Sequence, residues 1–124
     1  MKLDPDCVRD VLIEIEEKSK VGVMLVFPSD SELLPKYGRD KLEYHLRQCV
    51  WNGFVKIYDD GIQTNGDYQV KDLAPPAHTF LANIRSDTIW KKTKEAANKV
   101  GSISLDVLAT TAAQIVVGLI NGNF

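Results

Sequence analysis

The segment RDKLEYHLRQCVWNGFVKIYDDGIQTNGDYQVKDL, residues 39–73, decides the fold of this 124-residue chain. Apolar side chains recur at helical spacing over Arg39–Asn52, and the Gly53 that follows is typical of a helix end. Two runs with the composition of strands come next, Phe54–Tyr58 and Tyr68–Leu73. The pattern therefore predicts one long helix followed by an antiparallel β-hairpin.

The connection between the two predicted strands is rich in residues that favour tight turns. Asp59-Asp60-Gly61 and Asn65-Gly66-Asp67 carry this turn chemistry at either end of a short excursion. We therefore expect the first strand to end before Asp59 and the second strand to begin after Asp67.

The residues before this segment predict two further helices and a strand. Asp4 is a typical helix cap, and apolar spacing carries the helix that it starts to about Lys20. A β-branched run predicts a short strand at Val21–Phe27, and an acidic first turn predicts a short helix at Ser31–Leu34. With the helix and hairpin that follow, residues 4–73 have the element order of a winged helix-turn-helix core.

Residues 74–124 predict a C-terminal helical extension. One helix opens at Pro75, and after a break at Ser86-Asp87 a second helix continues. The last helix is predicted at about Leu105–Asn121. The predicted fold is thus mostly α with a small antiparallel β-hairpin, in which the core, residues 1–73, and the extension form one compact domain.

Composition narrows the classes of protein to consider. The formal net charge is −2 and 44% of the residues are hydrophobic, so binding to DNA would require a local positive patch on a slightly acidic body. Cys7 and Cys49 lie in apolar helical patterns, and we expect free buried thiols in a cytoplasmic protein. The chain starts with polar residues, and polar residues interrupt its apolar tail, Leu105–Ile120. We therefore expect neither a leader peptide nor a membrane span.

No arrangement of residues in the sequence is typical of an active site. There are two histidines, His45 and His78, no cluster at metal-ligand spacing, and no glycine-rich loop between a strand and a helix. His45 and Cys49 lie four positions apart and could form a catalytic pair, but we favour a core thiol beside a boundary imidazole. We therefore expect no enzymatic activity, no metal and no cofactor.

The predicted helix Arg39–Asn52 is the candidate site. Residues 36–58 hold five cations and two carboxylates, which makes a local positive region in an acidic chain. The helix face opposite the apolar stripe carries side chains that can contact base edges in the major groove, and the flanking lysines suit phosphates. This arrangement favours a regulator that binds double-stranded DNA. The candidate DNA- or partner-binding residues are Lys36, Tyr37, Arg39, Lys41, Tyr44, Arg47, Gln48, Trp51 and Lys56.

Two alternatives to DNA binding stay open. Residues 59–74 hold four carboxylates and one lysine, and phosphates repel an acidic wing. Tyr44 and Trp51 lie opposite the core face, and such aromatic residues are typical anchors of protein interfaces. They favour a surface for a protein partner. The other alternative is that the C-terminal helices simply cover these two side chains.

The last predicted helix has more apolar surface than one packing contact needs. Its apolar side chains spread well beyond the roughly 100° that a surface helix buries. The surplus favours a homodimer through this helix, and the alternative is a central helix wrapped by its own chain. The residues predicted to make the dimer contact are Leu108, Ala112, Ile115, Val116 and Leu119.

Three stretches of the chain resemble one protein family. They are MKLDPDCVRDVLIEIEE (1–17), LEYHLRQCVWNGFV (42–55) and LAPPAHTFLANIRSDTIWKKTKE (73–95), which GSISLDVLA (101–109) follows. In these stretches the chain is similar to phage- and prophage-associated proteins called domain of unknown function 2513. The matching residues are Tyr44, His45, Leu46, Gly53, Leu73, His78, Phe80, Leu81, Ile84, Arg85, Trp90 and Lys94. Ala74 and Ala77 depart from the pattern, in which Thr and Gly are usual.

The resemblance implies a winged-helix-like architecture and an origin in a bacterial mobile element, and therefore a bacterial cytoplasm. It implies no activity and gives no residue a role. Together with the candidate site, it leads us to expect a small phage- or prophage-type winged-helix protein that regulates transcription by binding DNA. The alternative is a protein–protein interaction module that acts on a host or phage protein.

Overall fold

The structure, a computed structural model, describes residues 1–62, 66–101 and 103–122, with the backbone alone at residues 59–62. These residues form six helices and three strands. The helices are α1 (Pro5–Lys18), α2 (Leu34–Tyr37), α3 (Arg39–Trp51), α4 (Pro75–Ile84), α5 (Asp87–Lys99) and α6 (Leu105–Ile120). The strands are β1 (Leu25–Phe27), β2 (Val55–Ile62) and β3 (Tyr68–Leu73). The prediction of a mostly helical fold with a small antiparallel sheet is confirmed.

Side-chain caps fix the start of three helices. The carboxylate of Asp4 accepts N–H groups of the first turn of α1, as predicted. Ser86 and Ser104 cap α5 and α6 in the same way. Helix α4 starts at Pro75 without a side-chain cap, because Ala74 occupies the capping position.

The three strands form one antiparallel sheet in the order β1-β3-β2. In the central strand β3, Val70 pairs with Leu25 of β1, and Leu73 pairs with Val55 of β2. The predicted strand Val21–Phe27 is too long, since residues 21–24 lie outside the sheet and are exposed. Strand β1 pairs with β3 over three residues only, so the β-branched residues before it have no strand to pair with.

Strand β2 is longer than predicted. It continues through Asp59-Asp60-Gly61, where a turn was predicted, so that prediction is wrong. The pairing register of β2 and β3 shifts between Ile57 and Ile62, so these three residues lie in an irregular part of the strand, and Ile62 lies opposite Tyr68. In the second predicted turn, Asn65 lies outside the described residues, and Gly66 has a φ of 85°, which favours glycine.

Helix α2 begins at Leu34, later than the predicted start at Ser31. Ser31 is buried and donates its hydroxyl hydrogen to the Oε1 atom of Glu14, 2.5 Å away. It also accepts the N–H of Leu33 at 3.0 Å. These contacts hold Ser31 in the loop before the helix, where a polar side chain can bond to its own backbone neighbours.

One hydrophobic core joins both predicted parts of the chain. The same cluster of buried residues contains Leu12 of α1, Leu46 of α3, Val70 of β3, Phe80 of α4 and Leu108 of α6. The C-terminal helices therefore pack onto the first part of the chain and share its core.

Cys7 and Cys49 are free and fully buried in this core, as predicted. Burial raises the pKa of the Cys7 thiol to about 12. Burial raises the pKa of Cys49 as well. Both side chains are therefore protonated near neutral pH and pack as small apolar groups.

Helix α6 directs its main apolar stripe into its own chain, against α4 and α5. Leu108 and Ala112 are fully buried and Ile115 is nearly so. These three of the five predicted dimer residues cannot contact a second copy while the core is closed. Val116 is half-buried and Leu119 is exposed, so part of the predicted stripe does reach the surface. Nothing in the single chain tests the dimer, which stays a prediction.

Candidate binding surface on α3 and β2

Helix α3 directs four side chains into the core, and two positions differ from the predicted stripe of Leu42, Leu46, Cys49 and Val50, because His45 is buried and Val50 is only half-buried. The buried residues are Leu42, His45, Leu46 and Cys49. The prediction that His45 lies at the boundary is wrong, because it is fully buried. The opposite side of the helix is centred on Asp40, Tyr44, Arg47 and Trp51. Lys41, which was placed on that outer face, lies on the flank beside the start of α1.

His45 and Lys41 fasten the start of α1 to α3. The Nε2 atom of His45 accepts the backbone N–H of Asp4 at 2.8 Å, and its Nδ1–H donates to the carbonyl of Lys41 at 2.7 Å. The Nζ atom of Lys41 lies 2.7 Å from the Asp4 carboxylate. Burial lowers the pKa of His45, which keeps the imidazole neutral and able to accept this bond.

Lys36 and Tyr37 are tied to α1 by a single carboxylate. The Tyr37 hydroxyl donates to Asp10 at 2.5 Å, and the Lys36 Nζ atom lies 3.0 Å from the same oxygen. Burial and this hydrogen bond raise the pKa of Tyr37. Both predicted site residues therefore hold α2 against α1.

Arg39 binds a buried carboxylate from the beginning of β3. Its Nη2 atom lies 2.9 Å from the Oδ1 atom of Asp67, whose side chain is 2% exposed. Asp67 also accepts the hydroxyl and the backbone N–H of Ser29. Burial alone would raise the pKa of Asp67, but the bonds to Ser29 and Arg39 outweigh it and lower the pKa. Asp67 was counted among the acidic residues of the wing, yet it faces inward and neutralises Arg39.

Arg47 is the one cation in the middle of the outer face of α3, and it is held in place. Its Nη2 atom bonds to Glu43 at 2.8 Å, and its Nε–H donates to the Tyr68 hydroxyl at 3.1 Å. The guanidinium carbon lies 5.7 Å from the centre of the Trp51 ring. Trp51 is itself 70% exposed, so most of its indole is open to solvent. The C-terminal helices therefore do not cover it.

The other predicted site residues differ in exposure. Tyr44 and Gln48 are half-buried, and the Tyr44 ring packs edge-on against His45 with 5.0 Å between the ring centres. Lys56 is exposed at the start of β2 and, among the described residues, has no carboxylate within ion-pair distance. It is the predicted cation with the most freedom to meet a ligand.

A groove of about 340 Å³ lies between α3 and the strands, and we call it the α3–β2 groove. It is lined by Glu43, Arg47, Val50, Trp51, Ile57 and Tyr68. Four of these residues, Glu43, Val50, Ile57 and Tyr68, were not among the predicted site residues. The alternation of side chains along a strand would have placed Ile57 on the inner side of β2. That α3 packs beside Ile57 could be known only from the three-dimensional structure.

The described part of the chain has no helix long and apolar enough to cross a membrane. No curated protein and no solved structure matches the chain. A family model described as hypothetical protein (DUF2513) matches residues 2–104. This range covers α1 to α5 and contains the whole α3–β2 groove. The chain therefore belongs to the family of hypothetical proteins called domain of unknown function 2513.

Proposed function

We propose that this chain is a protein-binding module of winged-helix architecture, and that the α3–β2 groove is its binding surface. The observation that carries the proposal is Trp51, which is 70% exposed at the edge of a largely apolar groove. Large apolar side chains on a surface beside a groove are typical of interfaces. Tryptophan, tyrosine and arginine are the residue types that most often dominate binding energy there.

The element order supports the winged-helix part of the proposal. Helix α1, strand β1 and helices α2 and α3 are followed by the pair β2 and β3, which would be the wing. Helix α3 would then be the recognition helix. Winged helices bind proteins as well as DNA, so the architecture alone does not choose between these ligands.

Charge around α3 favours a protein over DNA. Each of four candidate cations has a carboxylate oxygen within 3.0 Å, so the local field is close to neutral. These pairs are Lys36–Asp10, Arg39–Asp67, Lys41–Asp4 and Arg47–Glu43. Phosphate binding relies on uncompensated lysines and arginines, which release counterions from the DNA. Partly exposed pairs such as the three other than Arg39–Asp67 are worth only about 0–1 kcal/mol each, so DNA could separate those three, but it would gain little from doing so.

Arg47 adds a preorganised polar group to the groove. Three neighbours hold its guanidinium: Glu43, Tyr68 and the Trp51 ring. A fixed arginine costs less side-chain entropy on binding than a free one. Covering the exposed part of the indole would contribute about 2 kcal/mol or more.

DNA binding is the second candidate, and the exposed Lys56 favours it. This lysine lies on β2, next to the proposed recognition helix in the chain, and has no ion pair among the described residues. It would suit a phosphate while α3 enters the major groove. Under either candidate, a bacterial cytoplasm and a host or phage partner follow from the family resemblance.

A peptide-display selection separates the two candidates. Wild-type protein and the variant Trp51→Ala are each used to select from a random peptide library. We expect the wild type to enrich a consensus that Trp51→Ala does not. The same proteins are tested for a mobility shift with a random-sequence duplex at low salt.

The controls fix the interpretation. Trp51→Ala is expected to keep the wild-type free energy of unfolding within about 0.5 kcal/mol, because its side chain is mostly solvated. Enrichment that is equal for both proteins would overturn the proposed groove. A duplex shift that Lys56→Glu abolishes would replace it with DNA binding.

A further inference from the structure

We propose that the free edge of β2 takes an extended segment of a partner protein as an additional strand, with alternate side chains in the α3–β2 groove. The proposal rests on the proposed function, since it names the shape and charge of the ligand of that groove. Strand addition to a sheet edge is a common way to bind peptides, because the backbone ladder gives affinity and the alternate side chains give specificity.

The sheet leaves one long edge without a partner strand. Its order is β1-β3-β2, so β2 is bonded on one side only within the part of the chain that is described. Strand β2 has 8 residues, whereas β1, at the other edge, has 3, and the register of β2 against β3 shifts after Lys56 and again between Ile57 and Ile62. An unpaired edge presents a row of backbone N–H and C=O groups, and the stretch before the second shift, Val55–Tyr58, is the part that a partner strand would follow.

The side chains of β2 alternate between two different environments. Val55 and Ile57 point toward α3, and Val55 is buried while Ile57 lines the groove beside Trp51. Lys56 and Tyr58 are exposed and point to the other side of the sheet. A strand added along this edge would continue both surfaces, because neighbouring strands align their side chains in register.

The side chains of the ligand that do not enter the groove would face the other side of the sheet, and the charge of that side indicates their type. Beside Tyr58 lies a cavity of about 320 Å³ whose lining includes Lys20, Lys71 and Asp72. The Nζ atom of Lys71 lies 5.8 Å from the centre of the Tyr58 ring. With Lys56, which stands opposite Asp72, these residues include three lysines and one carboxylate. Asp59 and Asp60 follow in β2, so the lysines can attract acidic side chains only beside the first half of the strand. There the matching strand alternates apolar side chains, which enter the groove, with acidic ones, which face the lysines.

The experiment uses four synthetic eight-residue peptides and the full chain. The probe alternates glutamate with valine, and a second peptide replaces each glutamate with lysine. The other two peptides are the probe with N-methyl groups on the glutamates and the probe with N-methyl groups on the valines. Binding is measured by fluorescence anisotropy, and backbone amide shifts of the ¹⁵N-labelled protein report where the peptide lies.

We expect the glutamate–valine peptide to bind at least about tenfold more tightly than the lysine–valine peptide, and to shift the amides of β2. One of the two N-methylated versions should lose at least about tenfold in affinity, because one set of amides bonds to β2. Lys56→Glu should weaken binding of the probe. Lys99→Glu changes an exposed lysine on α5 and should not.

The opposite results are equally specific. Equal affinity of both N-methylated versions, with binding that still needs Trp51, would remove the strand ladder and keep the proposed function. A helical consensus in the display selection would do the same. If the protein alone forms a dimer that Lys56→Glu converts to monomers, the edge belongs to a second copy and the proposal is overturned.

Discussion

At the residue scale, three carboxylates determine which cations of the candidate site remain available. Asp4, Asp10 and Asp67 each bind a cation that the sequence had assigned to DNA. Asp10 lies 26 positions before Lys36, and Asp4 lies 37 positions before Lys41. A local sequence pattern cannot show pairs that are so far apart in the chain. The identity of the cations was predictable from sequence, but their neutralisation depends on which helices pack together.

His45 makes the stability of the chain depend on pH in a predictable direction. Its pKa in the folded chain lies below the ordinary value of 6.5, so the unfolded chain takes up a proton first as the pH falls. The contribution of His45 to the free energy of unfolding is greatest above pH 6.5 and decreases as the pH falls below 6.5. The decrease ends below the pKa of His45 in the folded chain. Urea denaturation at a series of pH values measures this effect.

The exposed histidine provides the matched control. His45→Gln should cost about 1–3 kcal/mol near neutral pH, since an amide does not reproduce the ring geometry that bonds to both the Asp4 N–H and the Lys41 carbonyl, and should flatten the decrease between about pH 7 and pH 5. His78→Gln should retain the wild-type profile. Parallel profiles for the wild type and His45→Gln would show that His45 is not the titrating group.

Asp67 should be worth more to stability than any exposed acidic residue of the hairpin. Asp67→Asn removes the charge that pairs with Arg39 and weakens the bonds to Ser29. We expect a loss of about 2–3 kcal/mol in the free energy of unfolding. Asp72→Asn, an exposed control on the same strand, should change it by less than about 0.5 kcal/mol. Similar values for the two variants would contradict the inward role of Asp67.

At the element scale, helix starts that depend on a local cap could be predicted from the sequence. Strand ends that depend on contacts with a neighbouring strand could not. The cap Asp4 stands where the sequence predicts it, and α5 begins at the predicted break Ser86-Asp87, because a cap bonds to its own first turn. The end of β2 was wrong because Asp59-Asp60-Gly61 lies in an irregularity of the strand, between Ile57 and Ile62, and its composition is the same as that of a turn. Which side of α6 faces inward also needed the fold.

Helix α6 has an inner and an outer apolar side, and the two should respond differently to substitution. Leu108→Ala opens a cavity in the core and should cost about 2–5 kcal/mol. Val117→Glu changes a side chain that is 55% exposed and should cost less than about 0.5 kcal/mol. Thermal or urea unfolding of both variants checks this difference, and a large loss for Val117→Glu would contradict it.

The burial of side chains on α6 determines which substitutions can test the predicted dimer. Ile115→Glu would place a charge in the core and unfold the chain, so it cannot report on association. Val117→Glu and Ile120→Glu alter exposed apolar side chains and leave the core intact. If a dimer forms through α6, light scattering should show monomers for these variants and dimers for the wild type.

At the scale of the whole molecule, an acidic chain has four of the five cations of residues 36–58 in compensated pairs, and Trp51, its most exposed described aromatic side chain, lies beside a groove. Net charge and the local excess of lysine and arginine were visible in the sequence. The pairing that neutralises the excess was not visible, and it changes the favoured ligand from DNA to protein. The exposure of Trp51 was expected from its place on the helix, whereas the groove beside it arises from the packing of α3 on the strands.

The chain has two tryptophans, and they allow the most direct test of this conclusion. Trp90 is 3% exposed and donates its indole N–H to Asp6 at 2.8 Å, whereas Trp51 is largely solvated. Their indole N–H signals are followed in a ¹H–¹⁵N correlation spectrum during titration with the display-selected peptide, and then with a duplex at low salt. We expect the peptide to move the Trp51 signal and leave the Trp90 signal in place, and the duplex to move neither. A Trp51 signal that the duplex moves and the peptide does not would contradict a protein-binding groove.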